Sequence, residues 1–237
     1  MKLRTYLALL SLVALLPACS SGGSAMLQTL RSVAPGDDAA RAIPNPNFQY
    51  LRVTVDGRLA LFVLGYIDPH PLGPVEVWYS AEKEVLRLQN GRLVGATGSP
   101  TEWQGVDIPL LPAWATLART TEPLQWTRTR DVMPGYRFGL RDALSLRVTA
   151  APDKSALLGI TPQSLVWFEE RMQPPPTATG VFSTLNPSDD NNLPVARYAL
   201  ALRDGKSTIV YGEQCLSARL CFSWQRWPVV QSSAGPQ

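Results

Sequence analysis

Three cysteines, one histidine and three short clusters of acids are the residues that could do chemistry in this 237-residue chain. Cys19 directly follows Leu16-Pro17-Ala18. An apolar run from Tyr6 to Leu16, preceded by the basic Lys2 and Arg4, leads into it. The run is of signal-peptide length and too short to span a bilayer. The pattern is a lipobox, and the chemistry it implies is acylation of Cys19 after cleavage. Two or three acyl chains make such attachment nearly permanent, at about 0.8 kcal/mol per buried CH₂. Ser20 stands where an aspartate would retain a lipoprotein in the inner membrane. The expected location is therefore the outer membrane, facing the periplasm. Cys215 and Cys221, with five residues between them in an exported chain, read as a disulfide. No histidine or third cysteine nearby would complete a zinc site.

The remaining candidates for catalysis fall away. His70 sits in Asp68-Pro69-His70-Pro71, an extended loop, and no Gly-x-Ser-x-Gly is present to supply a nucleophile. Glu169 and Glu170 are neighbours on an expected strand, so they point to opposite faces and cannot work as a pair from one side. Glu82 and Glu84 lie at a hairpin end, where solvated charge is the simple explanation. Ser188-Asp189-Asp190-Asn191-Asn192 lacks the spaced ligands and glycine of an EF-hand and reads as Asx-turn chemistry. No metal, cofactor or catalytic residue is expected, and the chain is not expected to be an enzyme. Seven tryptophans remain. Most are expected to fill a β core. Trp224 shares parity with Phe222 and faces inward, whereas Trp227, of opposite parity and beside Pro228, is freer to be exposed. Trp103, Trp227 and Arg226 are the candidates for contact with a ligand.

The elements that must position these residues are strands. Residues 20–24 (Ser-Ser-Gly-Gly-Ser) are a flexible tether of about 12 Å reach. Met26, Leu27, Leu30 and Val33 recur at helical spacing and predict one short helix, stopped by Pro35-Gly36. From Phe48 onward the period is two. Asp56-Gly57 and Asn90-Gly91 mark tight hairpins. Strands are expected at 48–55, 58–66, 75–80, 85–89, 93–96, 124–130, 136–140, 144–150, 164–172, 182–185, 195–203, 207–214 and 220–227. Pro112 can open a short helix carrying Trp114 and Leu117. The expected architecture is all-β: a large antiparallel meander folded on itself, half-barrel or sandwich-like, with a short N-terminal helix. The expected organisation is a signal peptide over 1–18, lipidated cysteine and tether over 19–25, and one domain over 26–237. Without residues 1–18, 20 basic residues face 19 acidic ones. That near-neutral balance, with no basic run, excludes nucleic acid as a partner.

Several stretches together resemble a known group. Val75-Glu76-Val77-Trp78-Tyr79-Ser80, Leu86 to Leu93, Trp126-Thr127-Arg128-Thr129-Arg130, Pro134 to Gly139, and the ending Gln214-Cys215 to Cys221–Pro228 are similar to the YjbF family of outer-membrane lipoproteins. The resemblance implies a folded β meander serving exopolysaccharide or capsule production and export. It also implies company: an outer-membrane β-barrel and a periplasmic protein of the same operon. It brings no catalytic residue set. Two readings follow, an accessory that binds the polymer or the barrel partner, or a carrier for a lipid or acylated protein. An open groove with exposed Trp and Arg would favour the first, and an apolar pocket the second.

Overall fold

The computed structural model describes residues 45–173, 192–203 and 205–228. Cys19, the lipobox, the tether, the helix expected over Met26–Val33 and the strand expected at 182–185 lie outside them. Twelve strands run in chain order: β1 (Tyr50–Val55), β2 (Arg58–Asp68), β3 (Val75–Tyr79), β4 (Val85–Gln89), β5 (Arg92–Thr97) and β6 (Glu102–Asp107), then β7 (Leu124–Met133), β8 (Arg137–Thr149), β9 (Val166–Met172), β10 (Ala196–Arg203), β11 (Lys206–Cys215) and β12 (Cys221–Trp227). Between β6 and β7 lies a one-turn helix, α1 (Trp114–Leu117), opening two residues after Pro112.

Each strand pairs antiparallel with the next, and β12 returns to β1 in full register from Tyr50↔Trp227 to Val55↔Phe222. The sheet is thus a closed barrel, which corrects the half-barrel or sandwich expectation. The twist that was expected to curl a long meander carries it all the way round until its two edge strands meet. Closure satisfies the backbone groups that a half-barrel would leave open at its edges. The two tight hairpins form as their turn residues require. Asp56 and Gly57 have φ of 48° and 76°, Asn90 and Gly91 of 50° and 78°, the paired positive values of a two-residue turn.

A second correction concerns β8. The separate strands expected at 136–140 and 144–150 are one strand of 13 residues. Asp142, between the two expected strands, faces inward against two arginines, and the strand runs through it unbroken. The strand expected from Ser164 opens as a 3-10 turn, Pro162–Ser164, before β9 begins.

The inward positions form one core: Leu51, Phe62, Trp78, Leu88, Phe168 and Trp224 are typical. Six of the seven tryptophans are buried, so the expectation that most would be core holds. Because the sheet is a meander, alternate turns gather at opposite ends. At one end α1 plugs the barrel. The Trp114 indole N–H donates to the Asn90 carbonyl at 2.7 Å, and its ring packs edge-on against Phe168, centroids 4.8 Å apart. The loop between β8 and β9 lies on the outer wall over Trp167, Ala199 and Tyr211. Gln225 holds it there with reciprocal bonds to the backbone of Leu158, 2.8 and 2.7 Å.

Candidate functional site: an apolar cavity at the barrel mouth

The turns β1–β2, β3–β4, β5–β6 and β11–β12 all lie at the end opposite α1, and there the interior is not filled. A cavity of about 870 Å³ opens between them. Inward-phase residues from five strands line it, Val53, Ala60, Phe62, Leu86, Ala96 and Phe222 among them. The same parity that elsewhere packs large against large here sets Ala60 and Ala96 among the lining, which leaves the space. Strands β11 and β12 end on the Cys215–Cys221 disulfide, as the spacing predicted. Beyond it, the Leu216 N–H donates to the Leu220 carbonyl at 2.8 Å and closes the hairpin tip. Leu216 and Leu220 themselves face the cavity. The disulfide is thus part of the mouth's scaffold. Charge is confined to turn and strand-end positions: Asp56, Arg58, Glu82 and Glu84.

The three residues expected to touch a ligand are not brought together. Trp103 is 1% exposed, an interior residue rather than a stacking platform. Its indole N–H donates to the Leu216 carbonyl at 2.9 Å, tying the hairpin tip to β6 from behind. Arg226 reaches past β1 and β2 to β3, where Nη2 bonds both carboxylate oxygens of Glu76 at 2.8 and 2.9 Å and Nε bonds the Ile209 carbonyl. Trp227 lies on the outer wall against Tyr50, Leu61 and Val63. No open Trp–Arg groove is built from these three. His70 caps its own loop, accepting from the Leu72 N–H and contacting Gln89.

Away from the mouth, the interior carries a polar belt that the sequence reading did not anticipate. On β7 the inward phase is Trp126, Arg128, Arg130 and Val132. Asp142, directly opposite Arg128, accepts from Arg128 Nε and Nη2 at 3.0 and 2.8 Å and from Arg130 Nε at 2.7 Å. Both guanidiniums lie over the Trp103 ring, 4.6 and 5.2 Å from its centroid. The signal was present in Trp126-Thr127-Arg128-Thr129-Arg130: the arginines share the tryptophan's phase. Nearby, Glu170 faces inward and Glu169 outward to Arg147 and Arg171, the opposite faces expected of neighbours on a strand. Burial raises the Glu170 carboxyl above its ordinary range, against the lowering effect of Arg128 and Arg92. Tyr198 Oη lies 3.2 Å from both Glu170 Oε1 and Gln214 Oε1. The phenol O–H has these two oxygens as acceptors, while Glu170 Oε2 and Gln214 Nε2 have no hydrogen-bond partner among the described residues.

Asp142 and Glu170 are therefore two acids inside the barrel, and a pair of acids is what could reopen glycoside chemistry. The space that Glu170 lines together with Arg128 is about 20 Å³, room for a water and not for a sugar, and Asp142 is not part of its lining. Among the described residues no cluster of His, Cys, Asp and Glu could hold a metal ion, and no helix is long and apolar enough to cross a membrane.

The fold has a solved counterpart. The crystal structure of the hypothetical lipoprotein YmcC from Escherichia coli (K12) superposes with a TM-score of 0.59 at 14% identity, covering 91% of this chain and all of that one. At that identity the likeness is one of fold. No curated protein matches the sequence. The family model described as "Group 4 capsule polysaccharide lipoprotein gfcB, YjbF" matches residues 25–179. Spanning well over half of the chain, that match carries the resemblance seen in the sequence: the chain belongs to the YjbF family of group 4 capsule polysaccharide lipoproteins.

Proposed function

We propose that this chain is a non-enzymatic lipoprotein accessory of capsule polysaccharide production whose working part is the barrel mouth, a receptacle for an alkyl chain. It is anchored through Cys19 to the outer membrane, on the periplasmic face. The observation that carries the reading is the cavity of about 870 Å³, walled by aliphatic and aromatic side chains. Its size falls within the range of small-molecule sites, and its walls are of the kind that bind alkyl carbon. Burying about eight methylenes at about 0.8 kcal/mol each gives about 6 kcal/mol, which corresponds to tens of micromolar. The capsule context comes from the family, and the ligand class from the cavity.

Binding of the polymer through exposed aromatic rings draws no support from Trp103, Arg226 or Trp227, whose side chains are engaged in the fold. A barrel or periplasmic partner of the same operon would meet this protein as the source or recipient of the bound chain.

N-phenyl-1-naphthylamine, an uncharged apolar dye that brightens when it leaves water, tests the cavity directly. The parent chain is expected to bind it in the micromolar range. Ala60→Trp, which places an indole in the mouth, is expected to lose at least tenfold in affinity while keeping the parent's circular dichroism. A folded Ala60→Trp that binds the dye as the parent does would show that the dye sits elsewhere and overturn the reading.

A further inference from the structure

We infer that the tip of the β7–β8 hairpin docks the barrel mouth on a phospholipid bilayer, with the rings of Tyr136 and Phe138 in the interfacial layer. The inference goes beyond the cavity reading, since it stands on the tip and not on what the cavity holds.

Tyr136 and Phe138 are 73% and 65% exposed, and their ring centroids lie 6.5 Å apart. The other exposed large apolar side chains of the described residues, Ile67, Leu110 and Leu202 among them, lie toward the α1 end on separate connections. Phe138 shares the inward phase of Asp142 and Leu144 on β8, which lower in the barrel would make it core. Here it stands beyond the wall. β9 pairs with β8 from Leu144↔Met172 onward, so Phe138 lies six residues, about 20 Å, past the last of those pairs. On the other side, β6 opens at Glu102, opposite Met133, and the turn rises above it. Ser99 and Pro100, just before β6, line the cavity, so the tip stands at the cavity's rim.

The tip is a held shape. The Gly139 N–H donates to Asp131 Oδ1 at 2.8 Å across the hairpin. Tyr136 has a φ of 52°, in the left-handed region that bulky residues rarely adopt. A glycine would fit that station without strain, yet a large ring stands there in water. Pro134 to Gly139 is also one of the family-like stretches, and the cavity uses none of it.

A bilayer interface suits these two side chains. Tyrosine, apolar in body and polar at its end, is enriched at membrane–water boundaries, and phenylalanine adds apolar area. The mouth-end turns carry Arg58, Lys83 and Arg219 against Asp56, Glu82 and Glu84, so this rim brings no net charge to repel an anionic lipid. The anchor allows the contact. From Cys19 to Asn45 the chain has 26 residues, a reach of up to about 90 Å, against about 43 Å for the 13 residues of β8. A chain that enters β1 at the α1 end can thus have its acyl group in the membrane that the mouth meets.

The acylated F138C chain, labelled with a nitrobenzoxadiazole maleimide, reads the surroundings of the tip in vesicles of phosphatidylethanolamine with a minority of phosphatidylglycerol. Cys215 and Cys221 are joined and an acylated Cys19 has no thiol, so the introduced cysteine takes the label. L202C carries the same label at the opposite end of the barrel. The label at position 138 is expected to be several-fold brighter than at 202 and to be quenched by nitroxide-bearing lipid. Without the acyl group, the C19S chain is expected to partition into the same vesicles. Adding Y136S/F138S is expected to weaken that partition by at least about tenfold, the factor for taking one such ring out of water.

A label at 138 no brighter than one at 202, or C19S chains that partition alike with and without the rings, overturns the inference. Brightening at 202 alone overturns it too, and puts the α1 end on the membrane instead. Both serines replace exposed side chains, so the variant is expected to keep the parent's circular dichroism and its affinity for N-phenyl-1-naphthylamine. Lost vesicle binding with dye binding intact is the expected result. A parent that binds no dye overturns the cavity reading and leaves this one standing.

Discussion

Asp142→Asn is the substitution that most directly measures how the barrel keeps charge inside. Asp142 Oδ2 takes three hydrogen bonds from two arginines, and the three side chains are 2%, 8% and 1% exposed for Asp142, Arg128 and Arg130. Asparagine fills the same space and can still accept a bond, but it cancels no charge. Two guanidiniums would then be left in the interior, and Arg130 Nη1 and Nη2 already lack a partner among the described residues. Removing one member of a buried ionic group costs about 3–5 kcal/mol. Against a typical total of about 5–15 kcal/mol, that is a third or more of the fold's stability. With a urea slope near the upper end of the usual range, about 3 kcal/mol/M, the midpoint is expected to fall by about 1–2 M. Replacing all three together, as R128M/R130M/D142L, is expected to recover much of the loss, because no stranded charge remains. Urea titrations of the three proteins, followed by tryptophan fluorescence, decide the matter. A D142N variant with the parent's midpoint would refute the claim that this carboxylate neutralises the buried pair.

Glu170→Gln tests the second half of the belt. With the folded carboxyl raised above 4.5, the folded chain keeps a proton that the unfolded chain has lost. The group's contribution to stability therefore declines as pH rises from about 4.5 until the raised value is passed. Glutamine removes that slope, so urea midpoints between pH 4 and 8 should fall less steeply in the variant; parallel profiles would contradict a protonated Glu170. For the mouth, C215A/C221A opens the loop that sets Leu216 and Leu220 against the cavity. It is expected to cost about 2 kcal/mol in a thermal or urea melt and to weaken dye binding several-fold. Unchanged dye affinity would separate the disulfide from the site.

How far the sequence disclosed this structure depended on the range over which each signal acts. Asp56-Gly57 and Asn90-Gly91 specify their turns through their own backbone preferences, and both hairpins formed where expected. Closure is different in kind: Tyr50 and Trp227 pair across nearly the whole described chain, and strand alternation is the same in a sandwich, a half-barrel and a barrel. Arg128 and Arg130 carried a local clue in their shared phase with Trp126. The rule that charge faces water hid it. The cavity was the least legible feature. Val53, Phe62 and Phe222 read correctly as inward residues, but whether an inward side chain meets a neighbour or a space depends on what opposes it. Only the assembled barrel sets them around residues as small as Ala60 and Ala96.

A ring of strands has no first and last. Because β1 and β12 are hydrogen-bonded to each other, the two strands that end the described meander offer no free row of N–H and C=O groups to another protein or to a second copy. At that seam a partner has no edge to which it could add a strand. Among the described residues, the turns, the loop over the outer wall and whatever the mouth is holding are then surfaces by which an assembly could grip the protein. The cargo itself then becomes a means of attachment, present when the mouth is loaded and gone when it is empty.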